Sequence, residues 1–247
     1  MASLFLVGAL AAATVATAEQ GVIEQTNAFR VRNGLTATVA NPVLTAEARG
    51  FASFLAGTQA FSHTADGRTP SERAEAAGYR YCALAENIAR IQGLGRRGED
   101  SAGEISQKFT AGWEASPGHR RNMLDPDVTE TGVAIAADRN TDTYAAVQVF
   151  GRPESLRFSF SVQNRSAATV GVTYDGASRA LRPGAGVVYT TCAPGSMTFD
   201  RRISGAAVVQ PQRDGVYRLR SAPGGEVLLE TLGDDPSARA GGPAHLP

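Results

Sequence analysis

Three histidines, His63, His119 and His245, are the only imidazoles in this chain of 247 residues. Imidazole is the side chain whose ordinary titration falls near neutrality. His245 lies in GDDPSARAGGPAHLP, a Gly-, Pro- and Ala-rich stretch that offers no apolar surface to fold around, and is set aside. His63 follows Phe61-Ser62 and leads into TADGRTPSER, and His119 follows Ser116-Pro117-Gly118. Between them lies AENIA, with Glu86 among apolar and amide residues. A carboxylate in such a run is expected to be partly buried, and burial demands a partner for its charge. Two imidazoles suit that demand, as hydrogen-bond donors or as fellow ligands of a metal. No His-Glu-x-x-His or Cys-x-x-Cys spacing accompanies them, so residue types alone leave a structural role open for each. Ser62 and Ser116 offer hydroxyl nucleophiles beside a histidine, without a Gly-x-Ser-x-Gly elbow. Asp125-Pro126-Asp127 lacks the ligand-and-glycine spacing of a calcium loop.

Helical patterns dominate up to Pro153. Leu44, Ala48, Phe51 and Leu55 make one apolar stripe. Thr69-Pro70-Ser71-Glu72 is a capping box with proline at the first helical position, and Gly78 stops that helix. Ser101-Ala102-Gly103-Glu104 is a second capping box, opening a helix with Ile105, Phe109 and Trp113 on one packing face. Pro117 ends it, because the residue before proline avoids the α region. A helix over about Val22 to Arg32 comes earlier, and TGVAIAA and TYAAVQVFG read as strands joined by a polar turn at Asp138 to Asp142. Helices followed by strands, without a βαβ rhythm, indicate an α+β layered domain. After Pro153 the pattern turns to period two, as in Leu156, Phe158, Phe160 and Val162. About seven short strands punctuated by Gly, Pro and Asp-Gly read as a small β-sandwich or barrel.

The 24 basic and 24 acidic residues balance, leaving no electrostatic footprint for nucleic acid or an anionic membrane surface. Leu4 to Val15 are apolar or small, and Ala16-Thr17-Ala18 is a small-x-small pattern. This reads as a signal peptide over residues 1–18, which places the protein in the periplasm or outside the cell. The competing reading is a buried N-terminal helix. The stretch is short for a transmembrane segment, and nothing later could span a bilayer. Cys82 and Cys192 permit one intramolecular bridge, worth about 4–5 kcal/mol in the chain-entropy model, or are two unrelated buried thiols. The expected organisation is a signal peptide over 1–18, an α+β domain over 19–152, a β-rich domain over 153–232 and a disordered tail over 233–247.

FSHTADGRTPSERAEAAGY, AENIA, WEASPGHRRNMLDPDVTETGVAIA and YAAVQVFG, in that order, resemble the bacterial branch of the CAP superfamily. This is the family of cysteine-rich secretory proteins, antigen 5 and pathogenesis-related 1, also called the SCP domain. NAFRVRNGLTATVANPVLTAEARGFA resembles its first helix and following loop, so the likeness runs from Val22 to Arg152. The resemblance implies an α-β-α three-layer sandwich with a surface groove holding two histidines and two acidic residues. By motif, His63, Glu86 and His119 take three of these places. Eukaryotic members carry the fourth, an acid, three positions after the helix tryptophan, where this chain has Ser116. Glu114 follows Trp113 directly, so on a helix it points elsewhere. A triad replaces the tetrad, with Asn122 and Arg120 as hydrogen-bonding supports. Arg68 or Arg73 could pair with nearby carboxylates, but both read first as a solvated face.

The resemblance implies an exported binding protein. Its groove would hold an elongated apolar ligand or a divalent cation, zinc or another, on His63, Glu86 and His119, and no other cofactor. Partners of the implied kind are a lipid, a cell-envelope component or a protein. Two further readings stay open. One is a secreted hydrolase, metal-dependent or serine-type. The other is a structural triad, with function in the loops or the β-rich domain.

Overall fold

The computed structural model describes residues 2–93, 101–138, 141–201, 203–204 and 208–232, with side chains from Thr14 onward. The tail expected over 233–247, His245 included, lies outside the described residues, as does part of the turn between Asp138 and Asp142. The chain divides into two units, Met1–Ser155 and Leu156–Pro247.

The first unit contains α1 (Ala2–Arg32), β1 (Val39–Ala40), α2 (Pro42–Ala56), α3 (Pro70–Ala76) and β2 (Tyr81–Gln92). It continues with α4 (Ala102–Ala115), α5 (Pro117–Met123), β3 (Glu130–Asp138) and β4 (Thr143–Pro153). The strands lie in the order β1-β3-β4-β2, with β1 parallel to β3 and the other pairs antiparallel. Successive side chains of a strand point to opposite faces. Along β4, Ala145, Val147 and Val149 pack with Leu44, Ala48, Phe51 and Leu55 of α2. Ala146 and Phe150 pack on the other face with Val22 and Phe29 of α1 and with Ile105, Phe109 and Trp113 of α4. Both faces of the sheet are covered, which makes the expected α-β-α sandwich.

Both predicted capping boxes form. The Thr69 hydroxyl accepts from the Glu72 backbone N–H while the Glu72 carboxylate accepts from that of Thr69, and Ser101 and Glu104 do the same. The first helix starts far ahead of Val22. Its Ala-rich run favours helix, and Ala18 is fully buried in the core. Among the described residues no helix is long and apolar enough to cross a membrane.

At Gly132 the backbone of α2 lies against β3, and an added Cβ would sit 2.3 Å from the Leu44 carbonyl carbon. Backbone cannot swing aside as a side-chain tip can. Gly132→Ala is therefore expected to cost about 1–3 kcal/mol or more, read as a lower urea midpoint with unchanged slope. Gly50, within α2, has nothing within 4 Å of its virtual Cβ. Gly50→Ala is the control and is expected to stabilise by about 0.5–1 kcal/mol.

The second unit is all β. Its strands are β5 (Phe158–Arg165), β6 (Val170–Tyr174), β7 (Ala177–Leu181), β8 (Gly186–Thr191), β9 (Met197–Phe199), β10 (Ile203–Ser204), β11 (Val208–Val209), β12 (Val216–Ser221) and β13 (Val227–Leu232). They form one sheet in the order β10-β13-β12-β5-β8 and a second in the order β11-β9-β6-β7. Phe160, Val162, Val172, Tyr174, Met197, Tyr217 and Leu219 share the core between them, a sandwich. Cys82 and Cys192 are both disulfide-bonded, which decides between the bridge and two thiols.

Candidate functional site

His63 sits in the turn-rich connection between α2 and α3. The capping box at Thr69 and Pro70 at the first helical position fix where α3 begins. Glu86 lies mid-strand on β2, an edge strand of its sheet. Pro117 does end α4, but it also starts α5, since proline suits a helix's first turn. His119 is thus held on a short helix rather than in an open turn. Two amides fasten that helix to β2. Asn122 Nδ2 donates to the Glu86 carbonyl at 3.1 Å and to Asn87 Oδ1 at 2.9 Å. Asn87, fully buried, donates through Nδ2 to the His119 carbonyl at 3.2 Å.

These contacts bring His63, Glu86 and His119 into one neighbourhood. His63 Nδ1 lies 2.7 Å from Glu86 Oε1; the imidazole is 47% exposed and the carboxylate side chain 1%. A carboxylate oxygen only accepts, so the ring nitrogen facing it carries the proton. His63 Nε2 is left as the free hydrogen-bonding atom. His119 is half-buried. Burial first, then the charge of His63, holds its pKa below the ordinary imidazole value.

The cluster contains three residues that sequence reasoning missed or misplaced. Arg73 does not belong to a solvated face; its side chain is 3% exposed. Nη2 donates to Glu86 Oε2 at 2.6 Å and Nε to Glu47 Oε1 at 2.9 Å. Nη1 donates to Asp66 Oδ1 at 3.0 Å and to the carbonyls of His63 and Arg68 at 3.0 and 2.9 Å. The guanidinium also lies over the Phe51 ring, 3.5 Å from its centre. Burial alone would depress its pKa, but Glu86 and Glu47 outweigh burial and raise it. At Asp66 burial works upward, and the Arg68 backbone N–H and the Arg73 charge overcome it and keep the carboxyl acidic. Arg68 is exposed, as a solvated face requires, and also pairs with Asp66 at 3.0 Å. The overlooked signal was Glu47, an acid three residues after Leu44 and four before Phe51 on the apolar stripe. A carboxylate placed there announces a buried cation.

Ser116 is the C-cap of α4 and the N-cap of α5 and makes no side-chain cap bond. Among the described residues, neither Ser62 nor Ser116 is hydrogen-bonded to an imidazole. Glu114 points away from the cluster and pairs loosely with Arg32 at 3.7 Å.

The sequence model of CAP, the cysteine-rich secretory protein family, matches residues 23–150, nearly the span of the resemblance. The chain belongs to this family. The uncharacterized protein YkwD of Bacillus subtilis (strain 168) is 29% identical over 124 residues, covering 50% of this chain and 44% of YkwD. The chain therefore spans less than half the length of that relative. A solved outer surface protein from Borrelia burgdorferi is 20% identical, with 53% of this chain and 90% of that one covered and a TM-score of 0.45. An extracellular SCP-domain protein from Bacillus anthracis is 23% identical, covering 55% and 40%, with a TM-score of 0.42.

The CAP resemblance implies a divalent cation on His63, Glu86 and His119, and the residues present do not fit one. Glu86 has committed one oxygen to His63 and the other to Arg73, whose fixed positive charge opposes a second cation. Among the described residues no three His, Cys, Asp or Glu side chains are grouped as a metal's ligands would be. In this CAP chain the buried arginine occupies the carboxylate instead.

Proposed function

We propose that this CAP protein works outside the cytoplasm as a binding module, with His63 and His119 facing the ligand and Ser116 and Asn122 at the margin. One observation carries the reading: a half-exposed imidazole whose Nδ1 is fixed by a buried carboxylate, leaving Nε2 turned to hydrogen-bond a ligand. A second imidazole stands close by, kept neutral by burial. Phe61, two residues before His63, is 45% exposed and adds apolar surface. Together these suit an elongated apolar ligand carrying a hydroxyl or other donor, such as a cell-envelope lipid. The apolar run and Ala16-Thr17-Ala18 support export. Ala18 is wholly buried on α1, so cutting after it has to precede folding.

Thermal melts in the presence of envelope lipid extract and, separately, of zinc chloride test the reading. Lipid at about 100 times its Kd is expected to stabilise the wild type by about 2.7 kcal/mol. His63→Ala and His119→Ala should lose that gain, and zinc should give none. Equal lipid response in all three proteins would sink the proposal. A hydrolytic reading draws support from the same pair, because a carboxylate that orients a histidine makes it a better general base toward water. Turnover of an ester panel, abolished by His63→Ala, would favour it.

A further inference from the structure

We propose that Arg73 and Glu47 are positioning residues: Arg73 holds Glu86 where it fixes the His63 ring, and Glu47 holds Arg73. The geometry is a relay of buried groups. Glu47 on α2 grips Nε, Glu86 on β2 grips Nη2, and Asp66 in the connecting loop grips Nη1. The same Nη1 binds the backbone carbonyl of His63. One guanidinium therefore sets both the chain position of His63 and the carboxylate that aims its ring. Sliding or rotating Arg73 would move both at once.

The charge pattern says how Glu47 does its part. Three carboxyl groups converge on one guanidinium; Arg68 pairs with Asp66 from the exposed side, and the two imidazoles lie on the loop and on α5. Glu47 is the one with an unanswered atom. Its side chain is 2% exposed, and its Oε2 is buried without a hydrogen-bond partner. An unpartnered buried oxygen is costlier as part of an anion than as part of a neutral acid. Burial chiefly, with repulsion from Glu86 and Asp66 against the pull of Arg73, raises its pKa to about 7. Below that pH Glu47 is a neutral acid that accepts from Arg73 without competing for its charge, and Glu86 keeps the stronger share. Above it Glu47 becomes a rival anion.

The inference rests on the proposed binding role of His63 for its biological meaning, but its test needs no ligand. Nitrogen NMR of the His63 ring reports which nitrogen carries the proton. In the wild type the neutral His63 ring should carry its proton on Nδ1, and that tautomer should lose ground as Glu47 ionises through about pH 7. Glu47→Gln, a permanent neutral mimic, should keep that tautomer of the neutral ring through the same pH range. Infrared titration should show a protonated-carboxyl band in the wild type that Glu47→Gln removes. Arg73→Lys, with one ammonium in place of a guanidinium that serves five acceptors, should give mixed ring forms. The proposal is overturned if Arg73→Lys folds and keeps the wild-type ring form. It is equally overturned if Glu47→Gln removes no carboxyl band, a readout that stands even where the lysine variant does not fold. Failure of lipid binding with these spectra intact would count against the binding role alone.

Discussion

Arg73→Ala is expected to cost the first unit about 3–5 kcal/mol at neutral pH, the range found when one partner of a buried ion pair is removed. The loss exceeds any one hydrogen bond. Glu86, Asp66 and Glu47 are left facing one another without their cation, the His63 and Arg68 carbonyls lose a donor, and Phe51 loses its stacked guanidinium. The pH dependence has a definite sign. Without Arg73 the folded-state pKa values of Glu47 and Asp66 move up, since Arg73 lowers both. A raised folded pKa gives stability that is complete below the unfolded value and lost as pH rises through the folded one. The gap between wild type and variant should therefore widen from about pH 5 to pH 8. Urea denaturation at both pH values measures it. Arg68→Ala, which removes an exposed partner of Asp66, should cost under about 1 kcal/mol. A cost for Arg73→Ala as small as that would show the cluster to be solvated.

Arg30→Ala is expected to cost a similar amount, about 3–5 kcal/mol, through a different mechanism. Arg30 is 1% exposed and, among the described residues, has no carboxylate within hydrogen-bonding distance; burial depresses its pKa, with the charge of Asp125 opposing. It spends its donors on backbone. Nε reaches the Thr36 carbonyl at 2.9 Å, Nη1 those of Met123 and Asp125 at 2.7 and 2.8 Å, and Nη2 that of Val128 at 3.3 Å. Alanine would leave four carbonyls short of a donor around a cavity the size of a long side chain. Three of the four, those of Met123, Asp125 and Val128, lie where the chain passes from α5, which carries His119, to β3; Thr36 lies between α1 and β1. Hydrogen exchange should show the amides of residues 123–129 losing protection before the rest of the unit. Unchanged exchange there, with an unchanged melt, would refute the assignment of Arg30 as the clamp on this segment.

The helices were readable because their signals are local. The stripe from Leu44 to Leu55 and the two capping boxes need only their own neighbours. β2 was harder. YCALAENIARIQ mixes small residues with a buried acid and a buried amide, so neither face shows a clean period of two. β7 hid for a related reason, since in ASRAL only Leu181 is buried. His63 and Glu86 could be paired from their types and setting, because a scarce imidazole and an acid in an apolar run need partners. Arg73 could not. PSERAEA looks like a polar helix until the face of α2 that covers it is known, and only Glu47 hinted at that face. The helix holding His119 was missed because Pro117 was read as a stop without its second meaning as a start.

Asn122 has a consequence beyond the histidine it accompanies. β2 ends its sheet, and an outermost strand offers bare carbonyls on which a foreign chain can continue the ladder. By capping the Glu86 carbonyl, Asn122 blunts that growing point, and α5 shields the rim beside it. The short helix that presents His119 thereby also covers part of an edge that an added strand could otherwise extend.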